Sequence, residues 1–245
     1  MQRFLLMQKP IAGRGVISGT DAVHINRVLR KKKGDRLAVI DGAGGAGWLV
    51  IENVTSNSVE GAIDGWMLKN DNGERRIFLC PAVLKGEKYD WVMQKAVELG
   101  SARIYPLLTE RCVVRLPSDS WVKKTERWQK IIREAAKQCG CEILPELMRP
   151  YSLPELLTIF SEQNISMLML HQEEREHNMR LTWAMPFADN NQPIALLIGP
   201  EGGFSKREVE LCREAGARLV SLGKNVLRAE TAAMVGLAIL KYETG

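Results

Sequence analysis

No apolar run in this chain approaches membrane length. The longest, such as ISMLML and PIALLIG, fall far short of the roughly 20 residues that a bilayer crossing needs. The stretch MQRFLLMQKP has only a tiny apolar core and no cleavage pattern of a secretory signal, so a cytoplasmic protein is expected. Cysteine is scarce and unpatterned. Cys80, Cys112, Cys139, Cys141 and Cys212 are an odd set of five, which implies no disulfide framework and reads as reduced thiols. Cys139 and Cys141 stand as CxC, and no CxxC or nearby histidine completes a zinc site. His171 and His177 are too isolated to change that, so no metal is expected. Internal repeats and low-complexity segments are absent too. So are the GxxxxGK[ST] and GxGxxG loops, which removes the standard cradles for nucleoside triphosphates and dinucleotides.

What is present is ordinary in bulk. The chain has 245 residues, 45% hydrophobic and 26% charged, enough for one large domain or two smaller ones with a real core. Lys and Arg total 34 against 29 Asp and Glu, a net charge of +5. That mild excess favours an anionic partner such as nucleic acid.

The first seventy residues read as β-rich. LAVID, GWLVIENV and SVEGAIDGWML are strands split by the turns KKGD and DGAGGAG. One helical pattern interrupts them, DAVHINRVLR, with Ala22, Ile25, Val28 and Leu29 at helical spacing. The polar stretch KNDNGERR then places a domain boundary near Asn72. Beyond it strands alternate with helices: RIFLCPAVL, then helical KYDWVMQKAVELG with Val92, Ala96 and Leu99 on one face and Gly100 as its stop. RIYPLLT is strand-like. SWVKKTERWQKIIREAAKQCG is a long helix with a stripe of Trp128, Ile131, Ile132 and Ala135, and LPELLTIFSEQN a short one opened by proline. ISMLML and PIALLIG are strands, SKREVELCREAG a helix, RLVSLG a strand and AETAAMVGLAILKYE the closing helix. The alternation predicts an α/β domain with a mostly parallel sheet.

Two turns near the C-terminus concentrate the chemistry. In IGPEGGFSKREVE, Ser205 and Glu208 form a capping box that occupies the amides a phosphate would need. Gly199, Pro200, Glu201, Gly202 and Gly203 therefore stand ahead of the helix as a loop. The second turn, SLGKNVLRAETAA, offers Leu222, Gly223, Val226 and Leu227 as apolar walls, then Arg228, Glu230 and Thr231, and small residues such as Ala232 that permit close approach. Together these suit an adenine-bearing ligand without a polyphosphate. Taken singly, each turn reads as a tight connection whose glycines supply positive φ.

Both turns resemble the signature of the RsmE family of ribosomal RNA uridine-N3 methyltransferases, of the SPOUT class. CPAVLKGEKYDWVMQKAVELG, PLLTERCVVRL and ERWQKIIREAAKQCG also resemble that family, in the same order, and DAVHINRVLRKKKGDRLAVIDGAGG resembles its N-terminal RNA-binding domain. The segment 151–192 is only loosely similar. The resemblance implies an α/β fold: a PUA-like β-barrel at 1–72 and a knotted parallel-sheet methyltransferase domain of the SPOUT type at 73–245. It implies S-adenosylmethionine as cofactor, held by Ile198, Gly199, Pro200, Gly202 and Gly203 and by Leu222, Gly223, Val226, Leu227, Thr231 and Ala232. Leu170 and His171 would form a third wall. It also implies a homodimer using the C-terminal helix, and 16S ribosomal RNA within the assembled small subunit as partner.

Methylation at N3 requires loss of a weakly acidic proton, which a positioned base can take while a cation stabilises charge on the uracil oxygens. Arg228 suits the cation, and Glu201 or Glu230 the base. Equally, Arg228 and Glu230 could form an ion pair, or Glu230 could sit where a helix N-terminus favours a carboxylate. For RNA, the run RVLRKKKGDR supplies Arg27, Arg30, Lys31, Lys32, Lys33 and Arg36, a pattern otherwise read as a solvated helix end. Lys85, Lys88, Lys95, Arg111, Lys130 and Arg133 are candidates in the second domain, and His24 is open between surface and RNA. Trp91 and Trp128 suit base stacking or the core. Two rivals stay open: a ribose 2′-O methyltransferase of the same class, and a non-catalytic RNA-binding protein.

Overall fold

The structure is a computed structural model that describes residues 2–68, 75–114, 118–171 and 192–244, with backbone only at 118–119. The expected boundary residue Asn72 and the isolated His177 lie outside the described residues. The chain divides into two compact units, Met1–Asn72 with Arg133–Leu144, and Gly73–Ile132 with Pro145–Gly245. Residues 133–144, which follow the expected boundary in sequence, thus pack with the first unit. Polar pairs hold that segment in the first unit. Arg3 donates to the Gly140 carbonyl at 3.0 Å and to Glu142 at 2.7 Å, and the buried Lys137 ammonium lies 2.7 Å from Asp21.

The first unit is built from β1 (Phe4–Leu5), β2 (Arg14–Ser18), helix α1 (Thr20–Val23), β3 (Arg36–Ile40), β4 (Gly45–Val54) and β5 (Ser58–Leu68). They form one five-stranded sheet in the order β1-β3-β4-β5-β2, antiparallel except where β1 pairs with β3. The Met7 N–H reaches the Val16 carbonyl at 3.0 Å, so the sheet curls until its two edges meet. Side chains of one face, among them Ile17, Leu37, Val39, Leu49, Ile51 and Val59, fill the interior with Ala22 and Ile25, as period-two alternation requires.

The helical reading of DAVHINRVLR is only half right. After Val23 the chain continues as a π-turn over His24–Val28, with the Leu29 N–H bonded to His24 at 3.0 Å. The wider winding carries later residues off the face set by Ala22 and Ile25. Val28 and Leu29, expected inside, are 64% and 38% exposed.

The second unit contains β6 (Ile77–Pro81), α2 (Glu87–Glu98), β7 (Arg103–Ile104), β8 (Leu107–Leu108), most of α3 (Ser118–Cys139), β9 (Glu146–Leu147), β10 (Tyr151–Ser152), α4 (Leu153–Glu162), β11 (Ser166–Leu170), β12 (Ile194–Ile198), α5 (Lys206–Glu214), β13 (Arg218–Val220) and α6 (Ala229–Thr244). RIYPLLT is two short strands rather than one, because Pro106 between them has no N–H for a ladder; β7 joins β6 and β9, while β8 pairs with β10. The main sheet has six strands, ordered β13-β11-β12-β6-β7-β9 and parallel throughout. Every residue of β6 and β12 is buried, as expected for strands covered on both faces.

Two features of this sheet position the site. Leu170, Ile198 and Val220 are register partners, so β11, β12 and β13 end level and release their following loops at one edge. Helix α6 then packs on α2, β6 and β12, although the strand before it, β13, is at the sheet's margin. The segment 221–228 must cross the carboxyl edge to get there. Gly236 permits the fit: a Cβ there would lie 2.9 Å from Leu196 Cδ2 and 3.3 Å from Leu170 Cδ1.

Candidate active site

The carboxyl edge of a parallel sheet is where ligands bind in such folds, because the strand-to-helix loops diverge there. Here the loops after β11, β12 and β13 enclose a cavity of about 620 Å³, within the range of small-molecule sites. Leu170 and His171 form one wall, with the His171 N–H bonded to the Val220 carbonyl at 3.0 Å. Residues 198–204 form the second. Pro200–Gly203 is a β-turn closed by the Gly203 N–H on the Pro200 carbonyl at 2.8 Å, with Gly203 at φ 65°. A side chain at Gly199 would be tight, since a Cβ would stand 3.1 Å from the Phe204 ring. Leu222, Gly223, Val226 and Leu227 supply the third wall, and Ala229 and Ala232 on the first turn of α6 close the base.

The expected capping box is in place. Glu208 N–H donates to Ser205 Oγ at 3.2 Å, and the Glu208 carboxylate accepts the Ser205 N–H at 2.8 Å. Those amides are consumed, which leaves the cavity lined by apolar side chains and loop backbone with charge only at its rim. Lys88 on α2 lies 3.4 Å from Glu201. Arg111 donates to the Gly202 carbonyl at 2.8 Å. Arg228 is exposed, and its side chain makes no ion pair among the described residues. Its backbone carbonyl accepts the Ala232 N–H at 2.8 Å and so starts α6.

Most residues expected at a cofactor site therefore do line one cavity, together with Arg228 and Glu201. Two do not. Glu230 and Thr231 are absent from its lining. Glu230 instead faces a small recess with Trp91, Lys95 and Met234, and its buried Oε2 has no hydrogen-bond partner among the described residues. A helix advances 100° per residue, so Glu230 turns toward α2, with Ala233, Met234 and Leu237, and Thr231 one step further round, while Ala229 and Ala232 face the cavity. An ion pair between Arg228 and Glu230 is absent for the same reason. Sequence reading missed Phe204, Val220 and Ser221 as wall residues, which directly adjoin the runs it singled out.

The basic candidates separate as well. Arg27, Arg30, Lys32 and Lys33 are exposed on the first unit, and His24 and Lys31 are half-buried there. Arg36 is drawn to Asp64 at 2.6 Å and over Trp48. In the second unit Lys85 and Lys130 are exposed, while Lys95 is held by Glu98 at 2.6 Å. Arg133 is exposed but belongs with the first unit. Trp128 is buried, 4.7 Å from the Tyr89 ring, so it is core rather than a stacking platform. Among the described residues no three metal-ligating side chains gather, and no helix is long and apolar enough to cross a membrane.

Comparison with known proteins points the same way. Residues 71–241 match the family model described as an RNA methyltransferase domain, and residues 17–64 the RNA methyltransferase PUA domain. The ribosomal RNA small subunit methyltransferase E of Synechocystis sp. is 32% identical over 88% of this chain and 68% of its own length. Among solved structures, a methyltransferase from Legionella pneumophila in complex with the bound cofactor SAM is 33% identical, with a TM-score of 0.85 over 98% of this chain and 96% of that one. A ribosomal RNA small subunit methyltransferase E from Neisseria gonorrhoeae, bound to S-adenosyl methionine, is 26% identical with a TM-score of 0.83 over 99% and 97%.

Proposed function

The chain belongs to the ribosomal RNA small subunit methyltransferase E family, and we propose that it methylates N3 of a uridine in 16S ribosomal RNA using S-adenosylmethionine. The observation that carries this reading is the cavity at the carboxyl edge of β11, β12 and β13, with a glycine cradle, apolar walls and one unpaired arginine at its rim. The residues fit that cofactor. Leu222, Val226 and Leu227 offer apolar surface to an adenine, and the backbone of 199–203 offers hydrogen bonds to a nucleoside without phosphates. S-adenosylmethionine supplies an electrophilic methyl group on a sulfonium centre.

The chain's own residues do the rest. Arg228 faces the uracil oxygens and stabilises the charge that develops as the N3 proton leaves. Of the two carboxylates considered as base, Glu201 is the one on the cavity rim, 3.4 Å from Lys88. Orienting the acceptor nitrogen in line with the methyl group contributes up to about 7–11 kcal/mol of barrier reduction.

The finer calls follow from the same reading. The domains divide near Asn72, with residues 133–144 returning to the first, and the crossing of 221–228 over the sheet edge supports the knot that the family resemblance implies. Arg27, Arg30, Lys32 and Lys33 are free to meet RNA phosphates, which makes binding salt-dependent. The target uridine is unpaired or extruded, since N3 is hidden within a base pair. The protein acts in the cytoplasm as a homodimer through α6, whose Met234, Ala238 and Ile239 are only half-buried by the chain itself. Assembled small subunits and deproteinised 16S RNA, each from cells lacking this protein, should be offered with radiolabelled S-adenosylmethionine. Label in the intact subunits and not in free RNA is expected. Label in neither would remove the proposal, and label on a ribose would replace it with the 2′-O reading.

A further inference from the structure

The segment after β8 makes two contacts that the cofactor loop does not need in order to fold. Arg111 Nη1 donates to the Gly202 carbonyl at 2.8 Å, and the side chain's stem lies over Gly202, where a Cβ would stand 3.5 Å from Arg111 Cβ. One residue earlier, the Glu110 N–H donates to Glu208 Oε1 at 2.8 Å. Glu208 is 3% exposed, and its other oxygen accepts the Ser205 N–H at 2.8 Å. A single buried carboxylate thus joins the start of α5 to residues 109–112, which are themselves fixed by the Cys112 N–H on the Thr109 carbonyl at 3.1 Å.

We propose that Arg111 and Glu208 are positioning residues: together they latch the Pro200–Gly203 turn to residues 109–112 and hold it open in the cofactor-binding shape. This rests on the methyltransferase reading above. The turn needs such a latch because two of its four residues are glycine, one at φ 65°, so its unbound backbone has many conformations to lose. Order present before binding is not charged against affinity. The capping box alone fixes the helix but not the turn ahead of it. Arg111 reaches the carbonyl of Gly202, the third residue of the turn. Its guanidinium is thereby engaged with the protein, which sets it apart from the RNA-phosphate role expected from sequence.

The test is calorimetry of S-adenosylmethionine binding to wild type, Arg111→Ala, Arg111→Lys and Glu208→Gln, with thermal midpoints and the salt dependence of RNA binding measured alongside. Losing one charge-assisted hydrogen bond to the turn should raise the Kd of Arg111→Ala about tenfold. Its thermal midpoint and its RNA salt slope should match wild type. Arg111→Lys, which can still donate, should recover part of the affinity. Glu208→Gln faces the Ser205 or Glu110 N–H with a donor, so weaker binding and a lower midpoint are both expected. An unchanged Kd in folded Arg111→Ala overturns the latch, and a flatter salt slope with unchanged Kd makes Arg111 a phosphate contact instead. Failure of wild type itself to bind would contradict the proposed function, and the latch would fall with it.

Discussion

Replacing Arg228 by alanine separates chemistry from architecture more cleanly than any other change. Its structural duty is performed by the backbone: the carbonyl that accepts the Ala232 N–H at 2.8 Å is the same in alanine. The side chain is exposed and pairs with no carboxylate among the described residues, so nothing buried is left unsatisfied. Stability should therefore stay within about 0.5 kcal/mol, a shift of roughly 1–2 °C in a chain this size. Catalysis should respond quite differently. A donor aimed at developing charge on an oxygen is worth about 10²–10³ in kcat, or about 2.7–4 kcal/mol. Arg228→Lys keeps the charge but loses the planar fork and should fall between. The assay is initial-rate methyl transfer to small subunits at saturating cofactor, with circular dichroism melting and cofactor calorimetry on the same preparations. A rate within about threefold of wild type would refute the role. So would a loss accounted for by weaker cofactor binding.

Glu230→Gln should leave turnover within a few-fold of wild type, because Glu230 faces Trp91 and Lys95 rather than the cavity; loss comparable to that of Arg228→Ala in the same assay would restore it as the base. Lys137 gives the first unit a pH-dependent tie. Burial opposes its charge, but its hydrogen bonds to Asp21 and Glu134 prevail and raise its pKa. A raised folded-state value means that the stabilisation is complete below the unfolded lysine's pKa, about 10.4, and is lost as pH rises through the folded value. Urea unfolding should show this alkaline loss, and Lys137→Ala should flatten it. Among the thiols, Cys139 is exposed while Cys80 and Cys212 are buried, and burial pushes Cys212 up to about 12. A disulfide reagent at neutral pH should modify Cys139 in the native protein and reach Cys80 and Cys212 only after denaturation; equal rates at all three would contradict the packing.

The strands and helices of the second unit were legible because their signals are local. PIALLIG has the unbroken apolar run of a strand buried on both faces, and Ser205 with Glu208 declares where α5 begins. The turns between them stood out through glycine and proline, but singly they read as tight connections, and it was the family resemblance that made them a cofactor site. What escaped the sequence depends on partners far along the chain. Arg111 meets Gly202 across 91 positions and Glu110 meets Glu208 across 98, and no periodicity carries that information. The apolar stripe of α3 continues without a break past Ile132, so nothing local marks residues 133–144 as belonging with the barrel; Asp21 and Arg3 decide it. Glu230 was a candidate base beside Arg228 in sequence and Thr231 a cofactor residue by the family resemblance, whereas the helical turn takes both off the cavity face. The π-turn at His24–Val28 likewise broke a spacing that presumed regular winding.

The central claim is methyl transfer to N3 of a uridine in small-subunit ribosomal RNA. Its most direct test is nucleoside mass spectrometry of 16S RNA from cells lacking this protein, complemented with the wild-type chain or with Arg228→Ala. Loss of N3-methyluridine at one position, restored by wild type and not by the variant, is the expected result. A 16S RNA whose N3-methyluridine content is unchanged without the protein would contradict it.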